Sequence, residues 1–370
     1  MGKESGEYMA TEIVQKNATG KRAEQLQFLR FLAFLNIFTM HADSWLFFTY
    51  PAGLAANAAV SFFFMLSGLV TGYSAYGKEI KIGIKEEFQY MRKRIVSVYP
   101  LYFLTTLFCA FLSGAIAGIV QSGFSLGAVP KQLVRNLLLI QSWFTEGFFS
   151  YNVGGWFLST LLFLNLLNLP VGFLLNKFDK LQNRIIKYGA YFGEVICLFG
   201  SVVVYCYLTQ NSDMEYWHYV FPPARIMEYL SGMIMGFALR PAAEKWKTKQ
   251  WQRVIFTVLE MAVLVYWVKA LESPGNYWRN KIVSWLVPNT LILVAFTLGK
   301  GYISDLFRKK CFVTLGDCSF EAYLIHWVVI VIFTTFNLIP SETPYGNVTA
   351  FFSCLFFSIA FAYLTKGSRR

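Results

Sequence analysis

Ten apolar stretches of roughly bilayer-spanning length leave this chain few folds to choose from. They lie near residues 26–48, 54–76, 98–120, 153–175, 189–209, 224–239, 254–271, 282–299, 312–336 and 347–365. In hydrocarbon every backbone N–H and C=O must be satisfied within the protein, so apolar stretches of this kind fold as helices and pack into a bundle. Composition agrees: 56% hydrophobic and 15% charged residues leave too little polar surface for a soluble globule of 370 residues. Many of the 10 tryptophans and 21 tyrosines fall near the stretch ends, where amphipathic rings anchor at the membrane interface. The expected fold class is an all-α polytopic membrane protein of about ten transmembrane helices.

Charge supplies the orientation. Lys3, Lys16, Lys21 and Arg22 precede the first stretch, and further positive charge gathers at Lys78 to Arg94, Lys177 to Lys187, Arg240 to Arg253, Lys300 to Lys310 and Lys366 to Arg370. The alternate loops carry little. By the positive-inside rule both termini are cytoplasmic, which an even number of spans requires. The net charge of +12 is therefore a topology signal, and no basic module interleaved with aromatics is present to make nucleic acid a partner. The polar residues 1–25 lack the short apolar core and small-residue cleavage site of a secretory leader and read as a cytoplasmic tail. Residues 26–370 form one membrane domain, in which 121–152 has an apolar but short core, LVRNLLLIQSWF, and reads as an interfacial or re-entrant segment on the outer side.

The six cysteines are scattered, with no CxxC pair and no histidine at metal-ligand spacing, so neither a disulfide framework nor a metal is expected. Ionisable groups inside the spans are more telling, because their cost in hydrocarbon ties them to function. Arg30 and His41 share the first span. Eleven positions close to within about 20° of whole helical turns, at a rise of about 16.5 Å, so both side chains project from one face. His326 lies about as deep in the span that starts near 312 as His41 does in its own, and the two histidines are expected to meet mid-membrane. Ser319, Tyr323 and His326 fall on one helical face, a polar stripe suited to a cavity. Each histidine has a plainer reading as an interhelical hydrogen-bonding residue, and Arg30 as a snorkelling one.

The order of the segments matches a known pattern. Arg30 and His41 with ten residues between them, then AVSFFFMLSGLVTGYS, RKRIVSVYPLYF, GGWFLSTLLFLNLLNLP, PARIMEYLSGMIMGF and LGDCSFEAYLIHW, resemble acyltransferase family 3 over nearly the whole chain. These are integral membrane O-acyltransferases of bacterial surface glycans. The resemblance implies an enzyme of the bacterial cytoplasmic (inner) membrane that moves an acetyl or short acyl group from cytoplasmic acetyl-CoA or a homologous acyl-CoA. The acceptor it implies is a hydroxyl of a lipid-linked or exported polysaccharide. It implies no permanently bound cofactor, and polysaccharide biosynthesis proteins or a second copy as protein partners. Two departures stand out: Ser97 replaces the second of two arginines that the family often spaces three apart, and Trp156 is followed by Ser159, Thr160 and Leu161 where a glutamate is common.

Residue chemistry and the resemblance agree on the donor. Arg92 and Arg94, with Lys93, stand at the cytoplasmic mouth of the third span near the depth of Arg30, and guanidinium forks suit the phosphate oxygens of CoA. Topogenesis explains the same three charges equally well. A histidine whose unperturbed pKa is about 6.5 takes a proton from a hydroxyl at neutral pH, which makes His41 the expected general base. An acyl-histidine relay is the variant. Tyr323, His326 or span-end backbone donors are the expected oxyanion stabilisers, in a central cavity open to both faces. Arg225, a family position, and His218 and Trp156 are the expected acceptor contacts, although Trp217 and Tyr219 beside them equally suit an aromatic belt. Ser67 and Gly68 match the family too, where small residues most often allow close helix packing. Two other functions fit intramembrane Arg and His: a proton-coupled transporter, and a non-catalytic component of a polysaccharide export complex.

Overall fold

The computed structural model describes residues 23–42, 52–114, 130–180, 184–209, 216–272, 283–339 and 344–367. Most of the tail 1–25, the end of the first apolar stretch and residues 121–129 lie outside them. Among the described residues the regular structure is helical. The long helices are α1 (Gln25–His41), α2 (Ala52–Ala75) and α3 (Ile84–Leu112), then a short α4 (Lys131–Leu137), α5 (Gly155–Asn165), α6 (Asn168–Lys180), α7 (Arg184–Thr209) and α8 (Ile226–Lys245). They are followed by α9 (Gln250–Glu272), α10 (Val283–Leu298), a short α11 (Tyr302–Phe307), α12 (Lys310–Thr335) and α13 (Pro344–Gly367). Each of the ten apolar stretches contains a helix.

Among the described residues, four helices are long and apolar enough to cross a membrane, those over Asn57–Ala75, Ile84–Leu112, Lys310–Thr335 and Tyr345–Lys366. A fifth is the pair α5 and α6, bent by 45° at Leu166 and Leu167. The bend has a local cause. Pro170 has no N–H to give to the carbonyl four residues earlier, and it sits in the first turn of α6, where a helix tolerates it.

Small residues set the tightest contact. A Cβ on Gly68 would lie 1.9 Å from the Tyr229 carbonyl oxygen, and one on Gly72 1.8 Å from that of Met233. The fit is reciprocal: a Cβ on Gly232 would lie 1.9 Å from the Met65 carbonyl oxygen and one on Gly236 2.0 Å from that of Leu69. Two Gly-x-x-x-Gly faces therefore let the backbones of α2 and α8 touch. Gly316 plays this part between α12 and α1, where a Cβ would meet the Gln27 carbonyl oxygen at 2.0 Å. Because Gln27 meets Gly316 and His41 meets His326, α1 and α12 run parallel and start on the same side.

The segment after α4 is held by side chains instead of a ladder. Tyr99 and Tyr102 donate to the carbonyls of Leu137 and Asn136, at 2.8 and 2.7 Å, and Gln141 donates to the Tyr102 hydroxyl at 3.1 Å. Asn152 donates to the Leu324 carbonyl at 3.1 Å and to Thr105 at 3.0 Å. Such bonds let irregular backbone exist deep in an apolar bundle. Leu139 and Tyr151, with φ of 55° and 61°, mark the strained corners of the segment.

Candidate active site

A cavity of about 150 Å³ opens between α1, α2, α3, α5, α8 and α12. Gln27 and Arg30 line it from α1, Arg94 and Ser97 from α3, and Ser67 and Thr71 from α2. Ser319, Phe320 and Tyr323 line it from α12, and its walls are otherwise largely apolar, with Phe63, Phe157, Leu158 and Leu162 among them. Arg30 donates to the Gln27 side-chain oxygen one turn earlier at 3.0 Å. Arg94 donates twice to the Tyr90 hydroxyl, at 2.8 and 2.6 Å, and Asn168 donates to the same oxygen. Both guanidinium groups are thus oriented by neighbours and brought to one cavity. Ser97, three residues after Arg94, stands on the same helical face and shares the wall. Arg92 does not: two positions are about 200° apart on a helix, and its side chain is exposed.

The two histidines meet beyond this cavity. His41 Nδ1 and His326 Nε2 are 2.8 Å apart, with the rings parallel to within 4°. His326 Nδ1 lies 2.6 Å from the Tyr323 carbonyl oxygen. A carbonyl only accepts, so His326 carries its proton on Nδ1 and presents a bare Nε2. That nitrogen accepts from His41 Nδ1–H, which leaves the lone pair of His41 on Nε2. One hydrogen-bonded chain, from Tyr323 carbonyl through His326, therefore sets the tautomer and orientation of His41. His326 is fully buried and is flanked by Phe34 and Phe38, while His41 is half-buried against Trp327.

The Tyr323 side chain faces the other way. Its hydroxyl donates to the Gly154 carbonyl at 3.0 Å, and its ring packs against Phe157 and Phe63 with centroids 5.8 and 6.3 Å away. Gly154 sits so close that a Cβ there would meet the Tyr323 ring at 3.0 Å.

Trp156 and Arg225 form a separate buried cluster around Tyr219, and His218, its neighbour in sequence, is buried as well. The Trp156 ring packs on Tyr219 at 4.8 Å, and the Arg225 guanidinium lies 5.3 Å from the centroids of both Phe64 and Tyr219. Arg225 is 1% exposed, and its charge is met by Glu228 at 2.8 Å and by the Tyr219 carbonyl at 3.0 Å. Ser61 on α2 completes the group by donating to the other Glu228 oxygen at 2.6 Å. Glu228 is an ionisable residue within an apolar stretch, the same signal that singles out Arg30 and His41, and sequence reasoning passed over it. Asn152, Gly154 and Phe157 were also missed, since their weight lies in partners more than 100 positions away in sequence.

Removing one partner of a buried pair strands the other charge, at a cost of about 3–5 kcal/mol. Glu228→Ala is therefore expected to lower the unfolding temperature in detergent as strongly as Arg225→Ala. The double variant should be less damaged than the sum of the two; strict additivity would show that the pair is not coupled.

A family model described as an acyltransferase domain matches residues 24–367. The acyltransferase MdmB of Streptomyces mycarofaciens is 27% identical over 326 residues, covering 84% of this chain and 79% of that protein. No solved structure matches.

Proposed function

Because the chain belongs to acyltransferase family 3 and is a multi-pass membrane acyltransferase, we propose that it moves an acetyl or short acyl group from cytoplasmic acyl-CoA to a hydroxyl of a lipid-linked or exported glycan. Family membership sets aside the transporter and the non-catalytic alternatives. The observation that carries the reading is the placement of Arg30 and Arg94 on one cavity with the His41–His326 pair beyond it. In this reading the ten helical stretches cross a bacterial inner membrane, both termini are cytoplasmic, and acyl-CoA and acceptor approach from opposite faces. A guanidinium pair at the cavity anchors CoA phosphates, and the apolar walls suit the pantetheine arm.

Chemistry follows from the tautomer. His41 Nε2 takes the proton of the acceptor hydroxyl as its oxygen attacks the thioester carbonyl, forming the new C–O bond. Collapse of the tetrahedral intermediate breaks the C–S bond, and the CoA thiolate takes the proton back from His41. His326 stabilises the transient imidazolium and holds the ring in place, as an orienting hydrogen-bond acceptor does for a catalytic histidine. Direct transfer needs no covalent enzyme intermediate. Trp156, His218 and Arg225 act from behind the acceptor side, where the Arg225–Glu228 pair fixes the aromatic wall.

CoA titration tests the donor half. Charge-assisted hydrogen bonds contribute about 1.5–3 kcal/mol each, so Arg30→Ala and Arg94→Ala should each weaken CoA binding by roughly tenfold or more. Arg92→Ala should change it far less. Unaltered affinity in the first two variants would refute the anchor. Mass spectrometry of surface glycans from cells with and without the gene tests the acceptor half; identical acylation would refute it.

A further inference from the structure

The cavity and the histidine pair are not continuous. Ser319, Phe320 and Tyr323 line the cavity along α12, but the next turn, which carries His326, does not, and His41 is likewise outside it. Tyr323 stands at the boundary, and Phe63 and Phe157 pack on it from the cavity wall. Tyr323 is 5.8 Å from the His326 ring on one side and 5.8 Å from Phe157 on the other, and Phe63 closes the set at 6.1 Å from Phe157 and 6.3 Å from Tyr323. At these spacings the rings are in van der Waals contact. Phe157 and Tyr323 are each 6% exposed, so these two are packed on their far sides as well, while Phe63 is half-buried.

An acyl-CoA whose phosphates sit on Arg30 and Arg94 enters this cavity acyl group first. To bring the thioester carbonyl to His41, the acyl group must pass the three rings before the slender pantetheine arm follows. We propose that Phe63, Phe157 and Tyr323 form a size filter that sets which acyl groups this enzyme transfers, admitting a two-carbon linear group and excluding branched ones. The inference rests on the acyl-CoA reading given above.

Passage needs one ring to move. The Tyr323 ring packs on Phe63, Phe157 and His326 with its hydroxyl bonded to the Gly154 carbonyl at the cavity's inner end, whereas Phe157 is also wedged against Phe64 at 4.6 Å. Tyr323 is therefore the moving leaf, and Phe157 and Phe63 are the frame whose width limits the opening. Their bulk acts on the acyl group, while the arginines act on the phosphates. Selectivity among acyl groups and affinity for CoA are thus separable.

The test uses membranes containing the full chain and their own acceptor, supplied with radiolabelled acetyl-CoA or isobutyryl-CoA; label entering glycan is measured. Each methyl group in a tight apolar passage discriminates by roughly tenfold or more. Phe157→Ala, and the milder Phe157→Leu and Phe63→Leu, should raise the isobutyryl-to-acetyl rate ratio by about tenfold. Val258→Ala, on the exposed face of α9 and outside the cavity, should leave the ratio as it is. The leucine variants keep most of the packed volume, so an alanine variant that fails to accumulate does not block the reading. If wild type transfers acetyl and the leucine variants do so at an unchanged ratio, the filter is refuted and the acyl-CoA reading survives. If wild type transfers label from neither donor, the acyl-CoA reading itself falls, and the filter with it.

Discussion

His41→Gln abolishes acyl transfer to within the noise of the assay while the protein stays in the membrane at wild-type abundance. Proton transfer by a positioned base contributes about 10²–10⁴-fold, and glutamine keeps a hydrogen-bonding amide of similar reach without a basic lone pair. The loss should appear in the transfer rate and leave CoA affinity near that of wild type, because Arg30 and Arg94 line the cavity and His41 does not. A companion variant tests the tautomer. His326→Phe removes the acceptor that His41 Nδ1–H uses at 2.8 Å, so His41 keeps its base but loses its fixed orientation. Its rate should fall between those of wild type and His41→Gln. Transfer that persists undiminished in His41→Gln refutes the general-base role. A His326→Phe rate equal to wild type would show that His41 needs no orienting partner.

Gly68→Val and Gly232→Val are expected to eliminate folded protein, by a route unrelated to the chemistry. Each new Cβ would meet a backbone carbonyl oxygen at 1.9 Å, and a backbone atom cannot rotate aside as a side-chain tip does. The helices α2 and α8 would have to part. Parting them would strip contacts from Met65, Leu69 and Tyr229, all of them fully buried. Overpacking of this kind typically costs about 1–3 kcal/mol, and with two β-branched methyls added at a backbone contact the cost should lie at or above the top of that range. Membrane abundance and the unfolding temperature in detergent report it. Gly189→Ala is the control, since nothing lies within 4 Å of its added Cβ and alanine favours the helix by roughly 1 kcal/mol. Normal abundance and unfolding temperature for Gly68→Val would mean that α2 and α8 do not cross where these glycines place them.

One long-range feature is legible in the amino-acid sequence, and it rests on depth. A helix advances a constant rise per residue, so residues equally far into parallel spans lie at equal depth, and His41 and His326 do meet. Helical periodicity places Ser319 near Tyr323, and both line the cavity wall. Periodicity fixes positions around one helix relative to each other and not which face meets the cavity. It offers Arg92 and Arg94 alike, and the packing of α3 brings only Arg94 to the cavity while Arg92 stays exposed.

Hydropathy and helical rise, both local properties of the chain, are enough to establish that it is helical, that its apolar stretches have the length of membrane spans, and that a few polar groups lie deep among them. The partners of those groups come from tertiary packing alone. That Glu228 faces Ser61, that Tyr323 turns its hydroxyl to Gly154, and that Gly68 touches Tyr229 all depend on how helices rotate about their axes when they pack. In an apolar solvent many rotations bury similar area, so hydrophobicity does not choose among them. Close backbone contact at glycines and the cost of an unpaired polar group do, and both are properties of pairs of residues far apart in the chain.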